Sequence, residues 1–192
     1  MLIYLIRHAE GCGVDGLCYG RQDIAVAAAA TAAAARDVRT RIPAAVLHSA
    51  PIYTSPLSRC TQLARELAAA RAPIVAAELI ELDFGSWEGR QWHDLPRSEL
   101  DAWADDVWGY RAGGGESAEA AACRWRRWVA ELPAETNDAV LAVTHAGVIR
   151  VALAHDPLYD RAAALQMPIA YGSVHTLVVA SNVRWIVAGV NG

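Results

Sequence analysis

Two apolar runs, each ending at a histidine, constrain this chain more than anything else in it. Leu2 to Ile6 is continuously apolar, with β-branched and aromatic members, and is followed by Arg7-His8. Ala139 to Thr144 repeats the pattern and is followed by His145-Ala146-Gly147. A strand with no polar face has nothing to offer to water, so both runs are expected to be strands buried on both sides. Such strands occur in parallel sheets covered by helices.

The intervening chain fits that scheme. Gly11 to Gly20 is glycine-rich and reads as loop, and Ala25 to Arg41 reads as a helix of alanines with late arginines, ended by Pro43. Ile52-Tyr53-Thr54 predicts a short strand. Ser55 as N-cap and Pro56 at the first helical position then start a helix that continues over Leu57 to Ala70. Ile74 to Ala76 predicts a brief edge strand, Val148 to about His155 a helix, and His175 to Ala180 with Val183 to Ala188 a hairpin turning at Ser181-Asn182.

Alternating strands and helices make the expected fold class α/β: a three-layer α/β/α sandwich around a mainly parallel central sheet, in one domain of 192 residues. Between Glu81 and about Pro133 the texture changes. Six of the seven tryptophans lie there (Trp87, Trp92, Trp103, Trp108, Trp125 and Trp128), around Gly113-Gly114-Gly115. Residues 81–133 are read as a helical insertion over the active-site end of the sheet.

Composition narrows the function. Hydrophobic residues make up 54% of the chain, enough for a sizeable core. Charged residues are only 20%, with a net charge of -4, so no basic field attracts nucleic acid. The apolar N-terminus is too short for a signal segment, and no stretch reaches membrane-spanning length, so no membrane partner and a cytoplasmic location are expected. Cys12, Cys18, Cys60 and Cys123 lack metal-type spacing and read as reduced thiols.

In open parallel sheets, ligands bind beyond the carboxyl ends of the strands. Three such ends here carry complementary groups: Arg7 and His8, then Ser55 with Arg59 one helical turn on, then His145. Two imidazoles and two guanidiniums beside helix N-termini form a cationic pocket on an acidic protein, a setting for a phosphate. Each residue alone would more simply be structural or solvated. Their shared position at one sheet edge is the signal.

Four segments, Leu5 to Glu10, Thr54 to Cys60, Glu81 to Gly89 and Val143 to Arg150, resemble in order the histidine phosphatase superfamily, the phosphoglycerate-mutase-like group. The resemblance implies that His8 is a nucleophile forming a phosphohistidine. Arg7, Arg59 and His145 would hold the phosphoryl oxygens, and Glu81 would be the proton donor, its protonation accompanying substrate binding. It also implies that Tyr19, Gly20 and Ala146 line the substrate pocket. No metal and no cofactor are expected, and the partner is a small phosphomonoester. Ala9 stands where the family commonly has glycine, and Gly11 to Val14 offer little side-chain hydrogen bonding, so the cradle should rely on backbone donors.

Leu17 to Asp23, Leu100 to Trp103 and Gly114 to Ser117 look like the α-ribazole phosphatase branch, which removes a 5′-phosphate from the nucleotide-loop precursor of cobalamin. The short chain favours a phosphatase over a mutase, the main alternative beside a broad-specificity phosphatase. A catalytically silent phospho-ligand binder is the rival of another class. The tryptophans of the insertion offer flat faces to an aromatic ring, although such spacings more often serve a core. Glu116 and Ser117 receive no role from the sequence, and His48, His93, His155 and His175 read as structural or exposed.

Overall fold

The computed structural model describes residues 1–133, 139–155 and 159–179, and the backbone of 185–191. Its strands are β1 (Leu2–Arg7), β2 (Ile52–Thr54), β3 (Ile74–Val75), β4 (Ala139–Thr144), β5 (Val174–Val179) and β6 (Trp185–Asn191). They form one sheet in the order β3-β2-β4-β1-β5-β6. The first three pairings are parallel, and β1–β5 and β5–β6 are antiparallel. The sheet is thus mainly parallel with an antiparallel edge. The expected hairpin is the β5–β6 pair, and its turn at Ser181-Asn182 lies outside the described residues.

Seven α-helices are described: α1 (Ala28–Arg41), α2 (Ala44–Ser49), α3 (Ser58–Ala68), α4 (Arg97–Asp105), α5 (Ala118–Glu131), α6 (Ala146–Ala154) and α7 (Arg161–Gln166). Period-two alternation divides the central strands between two cores. Tyr4, Ile6, Leu141 and Val143 face α1 and α3, while Ile3, Leu5, Val140 and Ala142 face α5 and α6. This is the three-layer α/β/α sandwich expected from the unbroken apolar runs.

The tryptophan-rich segment divides in two. Trp125 and Trp128 lie on α5 and belong to the core beneath the sheet. Trp87, Trp92 and Trp103 join Phe84, Leu95, Leu100, Ala112 and Tyr110 in a separate cluster over the sheet's carboxyl end. Short 3₁₀ turns and glycines hold this cap. Gly113 has a φ of 58° and packs so closely on the Phe84 carbonyl that a β-carbon there would collide with it.

Three expected helix starts move. Helix α1 begins at Ala28, because the Ala25 carbonyl accepts a bond from the Cys12 amide at 2.9 Å and is drawn into the loop. Helix α6 begins at Ala146. Helix α3 begins at Ser58 with Leu57 as its cap, so Ser55 is not an N-cap. The Ser55 amide still extends the sheet, donating to the Val143 carbonyl at 3.0 Å, and its hydroxyl serves the site described next.

Candidate active site

Register brings the two histidines together. Arg7 pairs with Thr144 across the parallel β1–β4 ladder, so His8 and His145 leave adjacent strands at one height. Their rings lie 5.0 Å apart, edge to face. Arg59 enters from the first turn of α3, beyond the end of β2, and donates from Nε to His145 Nδ1 at 3.2 Å.

His8 is almost fully buried, and its Nδ1 lies 2.7 Å from the Ala9 carbonyl, which can only accept. The proton therefore sits on Nδ1, and Nε2 keeps its lone pair. Burial, with Arg59 and then Arg7 nearby, lowers the His8 pKa to about 3. The imidazole is neutral across the physiological range, as a nucleophile must be.

His145 is likewise neutral, its pKa held well below the ordinary range by burial first and then by His8 and Arg59. Because Arg59 Nε can only donate, Nδ1 of His145 is the acceptor, and its Nε2–H donates to Ser55 Oγ at 2.7 Å. Arg59 is completely buried and donates from Nη1 to the Gln22 carbonyl at 2.7 Å and from Nη2 to the Gly20 carbonyl at 2.6 Å. A guanidinium removed from water needs such acceptors.

Beside His8 opens a cleft of about 300 Å³, whose walls include Arg7, His8, Tyr19, Glu81, Ala146, Arg150 and Tyr171. Arg7 lies 3.6 Å from the centroid of the Tyr171 ring and donates from Nη1 to the Ile169 carbonyl, while its Nε is buried without a partner. The guanidinium of Arg7 at the cleft wall favours an anion. Tyr19 and Tyr171 join hydroxyls at 2.9 Å across the site. Glu81 accepts from its neighbour Leu82 N at 3.0 Å and from Gly147 N at 3.1 Å. A β-carbon at residue 147 would strike the Glu81 carboxylate, so glycine there lets the carboxylate keep its place.

The residues singled out from the sequence thus gather at one end of the sheet, but not all face the cleft. Arg7, His8, Tyr19, Glu81 and Ala146 line it. Arg59 and His145 form a buried layer behind, and Gly20 contributes its carbonyl to that layer rather than a pocket wall. Three residues were missed. Tyr171 sits in a loop with no pattern to mark it. Arg150, which donates to the Met167 carbonyl at 2.8 Å, lay in a recognised segment without a role. Glu88 fastens the loop that holds Arg59, accepting from Arg21 N at 2.9 Å, Gln22 N at 2.8 Å and Phe84 N at 3.1 Å. Ser117 is the N-cap of α5, and Glu116 is paired in a fork with buried Arg124 at 2.9 and 3.0 Å.

A second cavity of about 130 Å³ adjoins the cleft, and Phe84, Trp92, Gly147 and Arg150 belong to both. Among the described residues no helix is long and apolar enough to cross a membrane.

A neutral histidine at the end of a central strand is thus backed by a second histidine and a buried arginine, at the carboxyl end of a doubly covered sheet. The family model of the histidine phosphatase superfamily (branch 1) matches residues 3–191, and the chain belongs to that superfamily. Solved structures agree on the fold. The α-ribazole phosphatase from Shigella flexneri is 24% identical with a TM-score of 0.82, covering 100% of this chain and 96% of its own. The mycobacterial glucosyl-3-phosphoglycerate phosphatase in complex with VO3 is 25% identical with a TM-score of 0.79, covering 97% and 96%. The phosphoglycerate mutase from Thermus thermophilus is 29% identical with a TM-score of 0.72, covering 97% of each chain. No curated protein sequence matches the chain.

Proposed function

We propose that this chain is a phosphomonoesterase that acts through a phosphohistidine at His8 and needs no metal. The observation that carries this reading is the His8 ring itself, neutral and tied by Nδ1 to the Ala9 carbonyl, with Nε2 left unprotonated at the cleft. Nε2 attacks phosphorus in line, the P–O bond to the alcohol breaks, and Glu81 gives a proton to the departing oxygen. Water then attacks the phosphohistidine, the P–N bond breaks, and the water's proton passes to Glu81. Arg7 meets the equatorial oxygens with its guanidinium. Arg59 acts first through charge, and its direct contact with phosphate requires release of the Gly20 or Gln22 carbonyl.

The preferred substrate is α-ribazole 5′-phosphate. Support comes from the stretches Leu17 to Asp23 and Gly114 to Ser117 and from the fold shared with the Shigella flexneri enzyme. A mutase reading draws on the 29% identical Thermus thermophilus neighbour.

Brief incubation with a radiolabelled phosphoester should leave an acid-labile label on His8, and His8→Ala should lower turnover by about 10⁴-fold or more. Undiminished hydrolysis by His8→Ala would overturn the mechanism. Activity should survive complete chelation. Efficient isomerisation of 3-phosphoglycerate in the presence of its bisphosphate would favour the mutase.

A further inference from the structure

We propose that Tyr171 is a positioning residue: its ring holds the Arg7 guanidinium in place, so that the guanidinium meets the phosphoryl group already aimed. The inference rests on the phosphomonoesterase reading of the cleft. It adds a residue that lies outside every segment carrying the family resemblance.

A free arginine is a poor clamp, because its long side chain has many rotamers and each sends the planar fork elsewhere. Here the segment 169–173 removes that freedom twice. Its backbone is tied to the strand end that carries the nucleophile. The Arg7 amide donates to the Ser173 carbonyl at 3.1 Å, and the Gly172 amide is shared between the Arg7 and His8 carbonyls at 3.2 and 3.3 Å. The turn needs the φ of 67° that Gly172 supplies. The same segment then takes the side chain. The Ile169 carbonyl accepts from Arg7 Nη1, and the guanidinium carbon lies 3.6 Å from the Tyr171 ring centroid. So short a distance places the cation over the ring face, since an edge contact would hold the centroid further off.

The ring is itself fixed at both ends. Its backbone follows the strand end, and its hydroxyl meets that of Tyr19 at 2.9 Å across the cleft. Tyr19 in turn lies 5.3 Å from the Arg59 guanidinium carbon, so the hydroxyl bridge joins the two rings that flank the two arginines. Donors placed in advance need no reorganisation when the transition state forms, so the ring acts on kcat more than on KM.

Substitutions of Tyr171 separate a flat face from mere bulk. Tyr171→Leu, which fills the space without a ring, should lower kcat for a simple phosphoester by about 10- to 100-fold, with KM within about threefold. Tyr171→Phe keeps the ring and should restore kcat to within about threefold of the unmodified protein. Equal kcat in the two variants, whether high or low, overturns the proposal. A double-mutant cycle tests action through Arg7: in an Arg7→Ala background, Tyr171→Leu should change kcat by less than about twofold. An undiminished further loss there shows that the ring does not act through Arg7. Binding of orthovanadate, which adopts the five-coordinate shape of the transferring group, reads the same contrast without turnover. Tyr171→Leu should raise its Kd by about 10-fold or more and Tyr171→Phe by less than about threefold. If no ester is hydrolysed and no phosphohistidine forms, the phosphatase reading fails, and the vanadate constants still decide the role of the ring.

Discussion

The cleft and the neighbouring cavity touch along Phe84, Trp92, Gly147 and Arg150, yet they are positioned by different means. In the cleft, Arg7, His8 and Ala146 stand at the ends of β1 and β4, whose register is fixed by two buried faces, so His8 cannot shift without turning core side chains toward water, while Tyr19, Glu81 and Tyr171 come from loops. The cavity is walled by side chains from a 3₁₀ turn and loops and from helices α4, α5, α6 and α7, with Trp92 and Trp103 stacked at 5.7 Å between ring centroids. His8 and His145 are thereby anchored to strands buried on both faces.

The largest effect that would sharpen this contrast concerns Glu81. Glu81→Gln keeps an oxygen for one backbone amide but removes the proton donor. With an alkyl phosphate, kcat should fall by about 10² to 10⁴-fold. With 4-nitrophenyl phosphate, whose leaving group departs without a proton, the fall should be under about 10-fold. An equal loss on both substrates would show that Glu81 only shapes the cleft.

How much of this could be read beforehand follows from the same division. The central strands and the meeting of His8 with His145 were legible, because unbroken apolar runs dictate a covered parallel sheet and parallel register equalises strand ends. The start of α3 was not. Ser55-Pro56 has the residues of a helix cap, but the Ser55 hydroxyl is taken by His145 from across the sheet, a contact 90 residues away in sequence. The same distance hides Tyr171, which reaches Arg7 and Tyr19 from a loop without periodicity. Arg59 was legible as a charge at the right edge. Its complete burial was not, since the carbonyls that receive it belong to a loop with no pattern of its own. The insertion was legible as tryptophan-rich, but only packing separates the core pair Trp125 and Trp128 from the cap.

A smaller effect tests whether that buried layer is assembled from outside the cleft. Glu88 never lines the cavity wall or touches His8, yet its carboxylate receives three amides of the segments around Gln22 and Phe84. Glu88→Gln replaces one acceptor oxygen by an NH₂ that faces a donor, and should cost about 1 to 3 kcal/mol of stability. If the 20–22 loop truly positions Arg59, kcat should fall together with stability while KM for a simple phosphoester stays within about threefold. A change in denaturation midpoint alone would confine Glu88 to folding.

The last effect is electrostatic and centres on the two cleft histidines. The His8 pKa is lowered to about 3 and that of His145 lies well below its ordinary value, whereas an unfolded chain protonates both near pH 6.5. Below that pH the unfolded state binds protons that the folded state refuses, so stability is full above pH 6.5 and declines as the pH falls toward 3. The slope is roughly 1 kcal/mol per pH unit for each histidine within that window. Urea midpoints measured from pH 7.5 to 4.5 should therefore fall steadily in the unmodified protein. They should fall less steeply in His8→Gln, which deletes one of the refused protons, while His155 and His175, whose pKa values burial also lowers, contribute alike in both proteins. Val107→Phe, at a wall of the neighbouring cavity and not of the cleft, should shift the midpoint by a constant amount at every pH; a changed slope there would mean that the cavity and the histidines are electrostatically one site.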